Sequence, residues 1–151
     1  MLPFNAKLET LCVQYMQIKM QGISHITFIV HDLELMASFL CKGLRAKEVY
    51  DSRSKNFSLS REKFFLIGDI WVVAMEGDPP IEKTYQHIAF KVSEHDLPKY
   101  EANLRALGVE FKPSRTRVPG EGLSLYFYDF DNHLFELHTG TIEERLVRYN
   151  T

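Results

Sequence analysis

The sequence predicts an α+β fold made of two tandem βαβββ modules, each a small curved sheet with a helix on its back. Three observations predict it. A strand-like segment at residues 22–30 returns at 84–92, so His25 and His87 stand 62 residues apart at equivalent positions. Each copy then runs into an acidic, helix-like stretch and three strand-like runs with a hairpin turn. The offset also persists downstream, where Glu62 maps onto Ser124, Asp69 onto Asp131 and Ala74 onto Glu136. A register kept across four landmarks marks a duplication, and two such sheets can close a cup.

In module one, residues 22–77, the first strand alternates with period two. His25, Thr27 and Ile29 share one face, while Ile26, Phe28 and Val30 share the other. Asp32 is placed to cap a helix with the apolar stripe Leu33, Met36 and Leu40, and Gly43 is placed to stop it. Strand-like runs follow at 46–50, 57–67 and 70–76, the last two joined by Gly68-Asp69. Gly77-Asp78-Pro79-Pro80 breaks regular structure and separates the modules.

Module two, residues 84–140, repeats the plan. His87, Ala89 and Lys91 share a face, opposite Ile88, Phe90 and Val92. Asp96 is expected to cap a helix that tolerates Pro98 in its first turn and ends at Gly108. Strands are expected at 109–112, 123–129 and 133–138. Thr141 and Glu144 have capping-box spacing for a terminal helix over 141–149. Residues 1–21 lie outside the repeat. They read either as a short helix with Leu8, Leu11, Cys12, Tyr15 and Met16 on one face, or as an upstream start assignment ahead of Met20.

The bulk numbers narrow the function classes. The 151 residues fit one domain, residues 22–150, and 45% hydrophobic with 25% charged content is that of a globular protein. A net charge of -2 offers no basic footprint for nucleic acid, and Arg115 and Arg117 read as a solvated loop. No apolar run reaches the roughly 20 residues that span a bilayer. Two cysteines, Cys12 and Cys41, form no framework and suit a reducing cytoplasm.

If Ile26, Phe28 and Val30 pack under a helix, along with Ile88, Phe90 and Val92, then His25 and His87 face the cup. Glu136 stands between Phe135 and Leu137, a costly setting for a lone carboxylate that a cation would offset. His25, His87 and Glu136 then form a two-histidine, one-carboxylate set with open positions, suited to Mn, Fe or Zn. His138 shares the face of Glu136 and competes with it. His133 reads as structural or superficial, and His31 and His95, at helix entries, as solvated.

The pattern resembles the vicinal oxygen chelate superfamily, and specifically its FosX-type fosfomycin-resistance epoxide hydrolases, across residues 20–150. The segments that carry the resemblance are Phe57-Ser58-Leu59-Ser60-Arg61-Glu62-Lys63-Phe64-Phe65-Leu66-Ile67 and residues 125–138, a Leu-Tyr-Phe-Tyr-Asp-Phe-Asp-Asn-His-Leu-Phe-Glu-Leu-His run. The resemblance implies His25, His87 and Glu136 as ligands of Mn(II), and a homodimer whose paired modules come from different chains. It implies Glu62 as general base, with Thr27, Ser124, Tyr126 and Arg145 holding a phosphonate. Such proteins commonly have arginine where this chain has Leu123.

That assignment matches the chemistry. Opening the fosfomycin epoxide with water at C1 to a diol needs an electrophile on the ring oxygen, an activated water and a held substrate. From the residues alone, Glu62 serves equally as a surface carboxylate paired with Arg61 or Lys63. Arg145 offers a fork for the phosphonate, and its neighbours Glu143 and Glu144 are badly placed to pair with it. Lys91 is a further cup-side candidate. The rival readings are a fosfomycin thiol transferase, an Fe(II) dioxygenase and a metal-free drug-sequestering relative. Glyoxalase I would need a fourth ligand where Ala74 stands.

Overall fold

The computed structural model describes residues 19–150 apart from Thr116. The expected face of Leu8, Leu11, Cys12, Tyr15 and Met16 lies outside the described residues. Module one comprises β1 (His25–Val30), α1 (Leu33–Ser38) continued by a π-helical turn (Phe39–Gly43), β2 (Lys47–Asp51), β3 (Glu62–Ile67) and β4 (Ile70–Glu76). Module two comprises β5 (His87–Lys91), α2 (Leu97–Ala106), β6 (Phe111–Lys112), β7 (Ser124–Tyr128) and β8 (Leu134–His138), and α3 (Ile142–Tyr149) follows it. The sheets have matching orders, β1-β4-β3-β2 and β5-β8-β7-β6. In each, the first strand lies parallel to the last and the remaining pairs are antiparallel. The α+β duplication is the observed architecture. Among the described residues, no helix is long and apolar enough to cross a membrane.

Local chemistry explains the element ends, with some corrections to the sequence reading. Asp32 caps α1 by accepting from the backbone N–H groups of Glu34 (2.8 Å) and Leu35 (3.0 Å). Gly43 does not stop the helix in a left-handed turn. The reversal falls at Arg45 (φ 57°). A Cβ at Gly43 would lie 3.0 Å from Leu104 Cδ2, a tight approach where the two modules' helices meet. Asp96 makes no capping bond to α2; its carboxylate is spent on Ser93 and Lys99. Thr141 and Glu144 do form the capping box of α3. The strand expected from residue 57 begins only at Glu62. Phe57 and Leu59 alternate with polar residues as a strand would, yet both side chains are exposed and unpaired with any strand.

The repeat register slips by one residue between β7 and β8. Leu66 pairs with Trp71 across the first hairpin, whereas Tyr128 pairs with Leu134 across the second, so the second turn holds one more residue. Asn132 absorbs it in a left-handed conformation (φ 67°) and donates to the carbonyls of Pro80 (3.0 Å) and Ile81 (3.2 Å). Phe64 pairs with Val73 as Tyr126 pairs with Glu136. The counterpart of Glu136 is therefore Val73, not Ala74, whose side chain lies in the core. An apolar residue still stands where a fourth ligand would be.

The two modules share one core. Phe28, Phe39, Phe65, Phe90, Phe127 and Phe135 belong to a single buried cluster, with the ring centroids of Phe28 and Phe39 lying 5.0 and 5.1 Å from that of Phe135. Aromatic rings at these separations add specific geometry to the area they bury. Since the helix-side faces of both sheets meet in this core, the opposite faces look away from it. Within one chain the expected cup is not closed.

Candidate metal centre

Period-two alternation puts His87, Ala89 and Lys91 of β5 beside Leu134, Glu136 and His138 of β8, on the face away from the core. Glu136 is buried, and its Oε2 lies 3.0 Å from His87 Nε2. His87 Nδ1 lies 2.8 Å from the Tyr85 carbonyl, which fixes that nitrogen as a donor. A neutral His87 then presents an Nε2 lone pair to a carboxylate lone pair at close range. That arrangement calls for a cation between them, either a proton or a metal ion. Two ligand atoms on one metal, each about 2.1 Å from it at right angles, stand about 3 Å apart. The donor set fits a metal.

The other oxygen of Glu136, Oε1, accepts from Ser124 Oγ and from Arg117 Nη2 (3.1 Å). Burial pushes the Glu136 carboxyl up, but hydrogen bonds from the Ser124 and Tyr126 hydroxyls, with the charges of His138 and His87, outweigh it and hold it below the usual carboxylate value. Tyr126 is buried and carries the opposite shift. Burial drives its phenol well up, and its contacts with Tyr85 and Glu136 add to this, so it stays a neutral donor.

His138 does not share the role of Glu136. Its Nδ1 lies 2.8 Å from Ser124 Oγ and 3.0 Å from the Leu123 carbonyl, and Arg145 Nη2 approaches its Nε2 at 3.4 Å. Burial, more than any neighbour, holds its pKa below the ordinary histidine value. Arg145 turns from α3 into a cavity of about 460 Å³ that it lines with His87, Glu136, His138 and Tyr149. Glu144, its expected rival partner, is occupied in the capping box. Lys91 is spent elsewhere, donating to the carbonyls of Thr139 and Gly140 (2.7 Å to Gly140). The side chain of Leu123 is half exposed, and the cation beside Ser124 comes from Arg117.

Arg117 is the residue that sequence reasoning missed. Far from a solvated loop residue, its side chain is 13% exposed, with Nη2 against Ser124, Tyr126 (3.3 Å) and Glu136. A lone arginine in an irregular loop has no periodicity to reveal its direction. Two other histidines make structural bonds, His133 as expected and His31 while staying solvated, its side chain 69% exposed. His31 clamps the modules together through Asp131 (2.8 Å from Nδ1), and His133 is held by Asp129 (2.7 Å).

The remaining expected residues lie on the other sheet. His25 and Thr27 are exposed on β1, with His25 against the Trp71 ring (4.5 Å between centroids). Glu62 lies on the same face of that sheet, opposite Met75 of β4, and is only 8% exposed. Neither proposed surface partner takes it. Lys63 points to the helix side and pairs with Glu34 (2.8 Å), Asp51 (3.2 Å) and Glu48 (3.5 Å), while Arg61 approaches Glu76 (4.0 Å). Among the described residues of one chain, no three histidine, cysteine or carboxylate side chains gather as a metal site. His87 and Glu136 meet, and His25 does not join them.

Two βαβββ sheets on one shared core, with a histidine set against a buried carboxylate, define a class, and the comparison with known families agrees. The profile of the glyoxalase/bleomycin resistance protein/dioxygenase superfamily matches residues 22–137, and the chain belongs to that superfamily. Within it, the fosfomycin resistance protein FosX of Listeria monocytogenes is 56% identical over 129 residues, covering 85% of this chain and 97% of that protein. The metallothiol transferase FosB of Bacillus licheniformis is 36% identical over 135 residues, covering 87% and 83%. A crystal structure of a Glu-to-Gln variant of the Listeria monocytogenes FosX, complexed with Mn(II) and 1S,2S-dihydroxypropylphosphonic acid, superposes with a TM-score of 0.79 at 53% identity, covering 87% of this chain and 99% of that one. A second, with Mn(II) and sulfate, gives 0.78 at 53% identity over 87% and 99%.

Proposed function

We propose that this protein is a Mn(II)-dependent hydrolase that adds water to C1 of the fosfomycin epoxide, giving an inactive diol and resistance to the antibiotic. The observation that carries the reading is the buried Glu136 facing the Nε2 of a tautomer-fixed His87, in a cavity lined by neutral and cationic donors. The FosX relatives at 56% identity, one seen with Mn(II) and a dihydroxypropylphosphonic acid, support it.

In this reading His25, His87 and Glu136 hold the metal, which supplies a Lewis acid for the epoxide oxygen. Thr27 donates a hydroxyl hydrogen bond to the phosphonate, and Ser124 and Tyr126 turn their hydroxyls from Glu136 toward it when it binds. The guanidinium of Arg145, with Arg117 nearby, matches the phosphonate's charge. Glu62 takes a proton from the water as the new C–O bond forms at C1 and the ring C–O bond breaks. The released oxygen is protonated in turn, so the net change is the addition of one water. Burial of Glu62 away from Arg61 and Lys63 leaves it available as that base.

His25 and Glu62 belong to one sheet and His87 and Glu136 to the other, and the faces of one chain look away from their shared core. The reading therefore includes a homodimer in which the module-one face of one chain meets the module-two face of its partner. The exposed Ile142, Leu146 and Val147 of α3, beside the cavity, suit such a contact.

Phosphorus NMR of fosfomycin with the Mn(II)-loaded protein is expected to show conversion to the diol without any thiol. A thiol adduct formed only when glutathione or another thiol is added would replace this reading by the transferase of the FosB type.

A further inference from the structure

Two arginines of the loop between β6 and β7 each meet a buried glutamate, and they do so differently. Arg115 forms a fork on Glu121, with Nη1 3.1 Å from Oε2 and Nη2 3.1 Å from Oε1. This is the geometry that a guanidinium adopts when its task is to neutralise a carboxylate. Arg117 instead approaches Glu136 end-on, through Nη2 alone and toward Oε1 alone. Its Nε and Nη1 are buried and, among the described residues, make no hydrogen bond. Forking onto Glu136 would satisfy one of them, and the structure forgoes it.

We propose that Arg117 is a positioning residue that holds Glu136 as a one-oxygen metal ligand. This rests on the reading of Glu136 as a ligand. Arg117 Nη2 and Ser124 Oγ both occupy Oε1, so only Oε2 faces His87 Nε2. A carboxylate is free to bind a metal through one oxygen or both. Chelation through both would take one of the three open positions and narrow the choice of adjacent places for an epoxide oxygen and a phosphonate oxygen. Arg117 keeps that place open by engaging the second oxygen from outside. The Tyr126 hydroxyl, 3.3 Å from the same Nη2, fixes the guanidinium from a third side. Lysine would retain the charge at Oε1 without the planar geometry, and glutamine would lose the charge.

The test counts exchangeable water on bound Mn(II) by the relaxation enhancement of solvent protons, in wild type, Arg117→Gln and Arg117→Lys. With three protein ligands an octahedral ion keeps three water positions, and chelation by Glu136 would leave two. Arg117→Gln is expected to bind Mn(II) with the enhancement lowered by about a third, and Arg117→Lys to recover most of the wild-type value. An unchanged enhancement in Mn(II)-loaded Arg117→Gln would overturn the proposal. Loss of Mn(II) binding in both variants would also overturn it, since Arg117 would then be a prop of the loop. Failure of the wild-type protein to bind Mn(II) would instead remove the metal reading itself.

Discussion

Glu62→Gln is expected to retain Mn(II) and fosfomycin binding while losing roughly 10²–10⁴-fold in turnover, the usual contribution of a positioned general base. The substitution is close to isosteric, so β3 and its pairing with Met75 should survive. What changes is the ability to accept a proton. Glu62 is buried on the open face of its sheet, and the cations adjacent to it in sequence are engaged elsewhere. A glutamine there can still orient a water by accepting its hydrogen bond, but it cannot remove the proton. The expected signature is a fall in kcat with little change in KM, measured alongside Mn(II) affinity. Turnover that persists in Glu62→Gln would remove Glu62 as the base.

The second large effect concerns how the ligands come together. His25→Ala and His87→Ala should each lower turnover by at least about 100-fold, as loss of a ligand weakens metal binding more than loss of an outer partner does. Mixing the two inactive proteins, with time for subunits to exchange, should restore activity. In an exchanged dimer the mixed pair has one site with both histidines lost and one site intact. Random pairing makes half of the dimers mixed, so about a quarter of wild-type activity is expected. The basis is the shared core of Phe28, Phe39, Phe127 and Phe135, which turns the His25 and His87 faces of one chain away from each other. Mixed dimers without recovered activity would mean that the site is built in some other way.

Much of this was legible in the sequence because it rests on periodicity. Alternation alone placed His25, Thr27, His87 and Glu136 on the open faces, and the capping box at Thr141 and Glu144 appears where its spacing put it. Features set by tertiary contact were not legible. The extra residue in the second hairpin shifts the repeat and moves the counterpart of Glu136 from Ala74 to Val73. Asp69 and Asp131, matched at the two turns, hid that slip, because an aspartate also stands two residues earlier in the longer turn, where Asp129 holds His133 while Asp131 reaches His31 of the other module. Asp96 followed local spacing, but Ser93 and Lys99 claimed its carboxylate. Arg117 had no local pattern at all. Its direction is set by the loop that carries it, where Arg115 is anchored on the buried Glu121 and Gly122 packs against Gly140 with no room for a Cβ.

The most direct test of the central claim is a metal add-back. Metal-free protein is given fosfomycin in the absence of thiol, Mn(II) is added in steps, and epoxide and diol are followed by phosphorus NMR. Loss of epoxide should track the Mn(II) bound, stop when a chelator removes it, and yield the diol alone. Hydration at full rate without metal, or an epoxide left intact by the Mn(II)-loaded protein, would contradict the account.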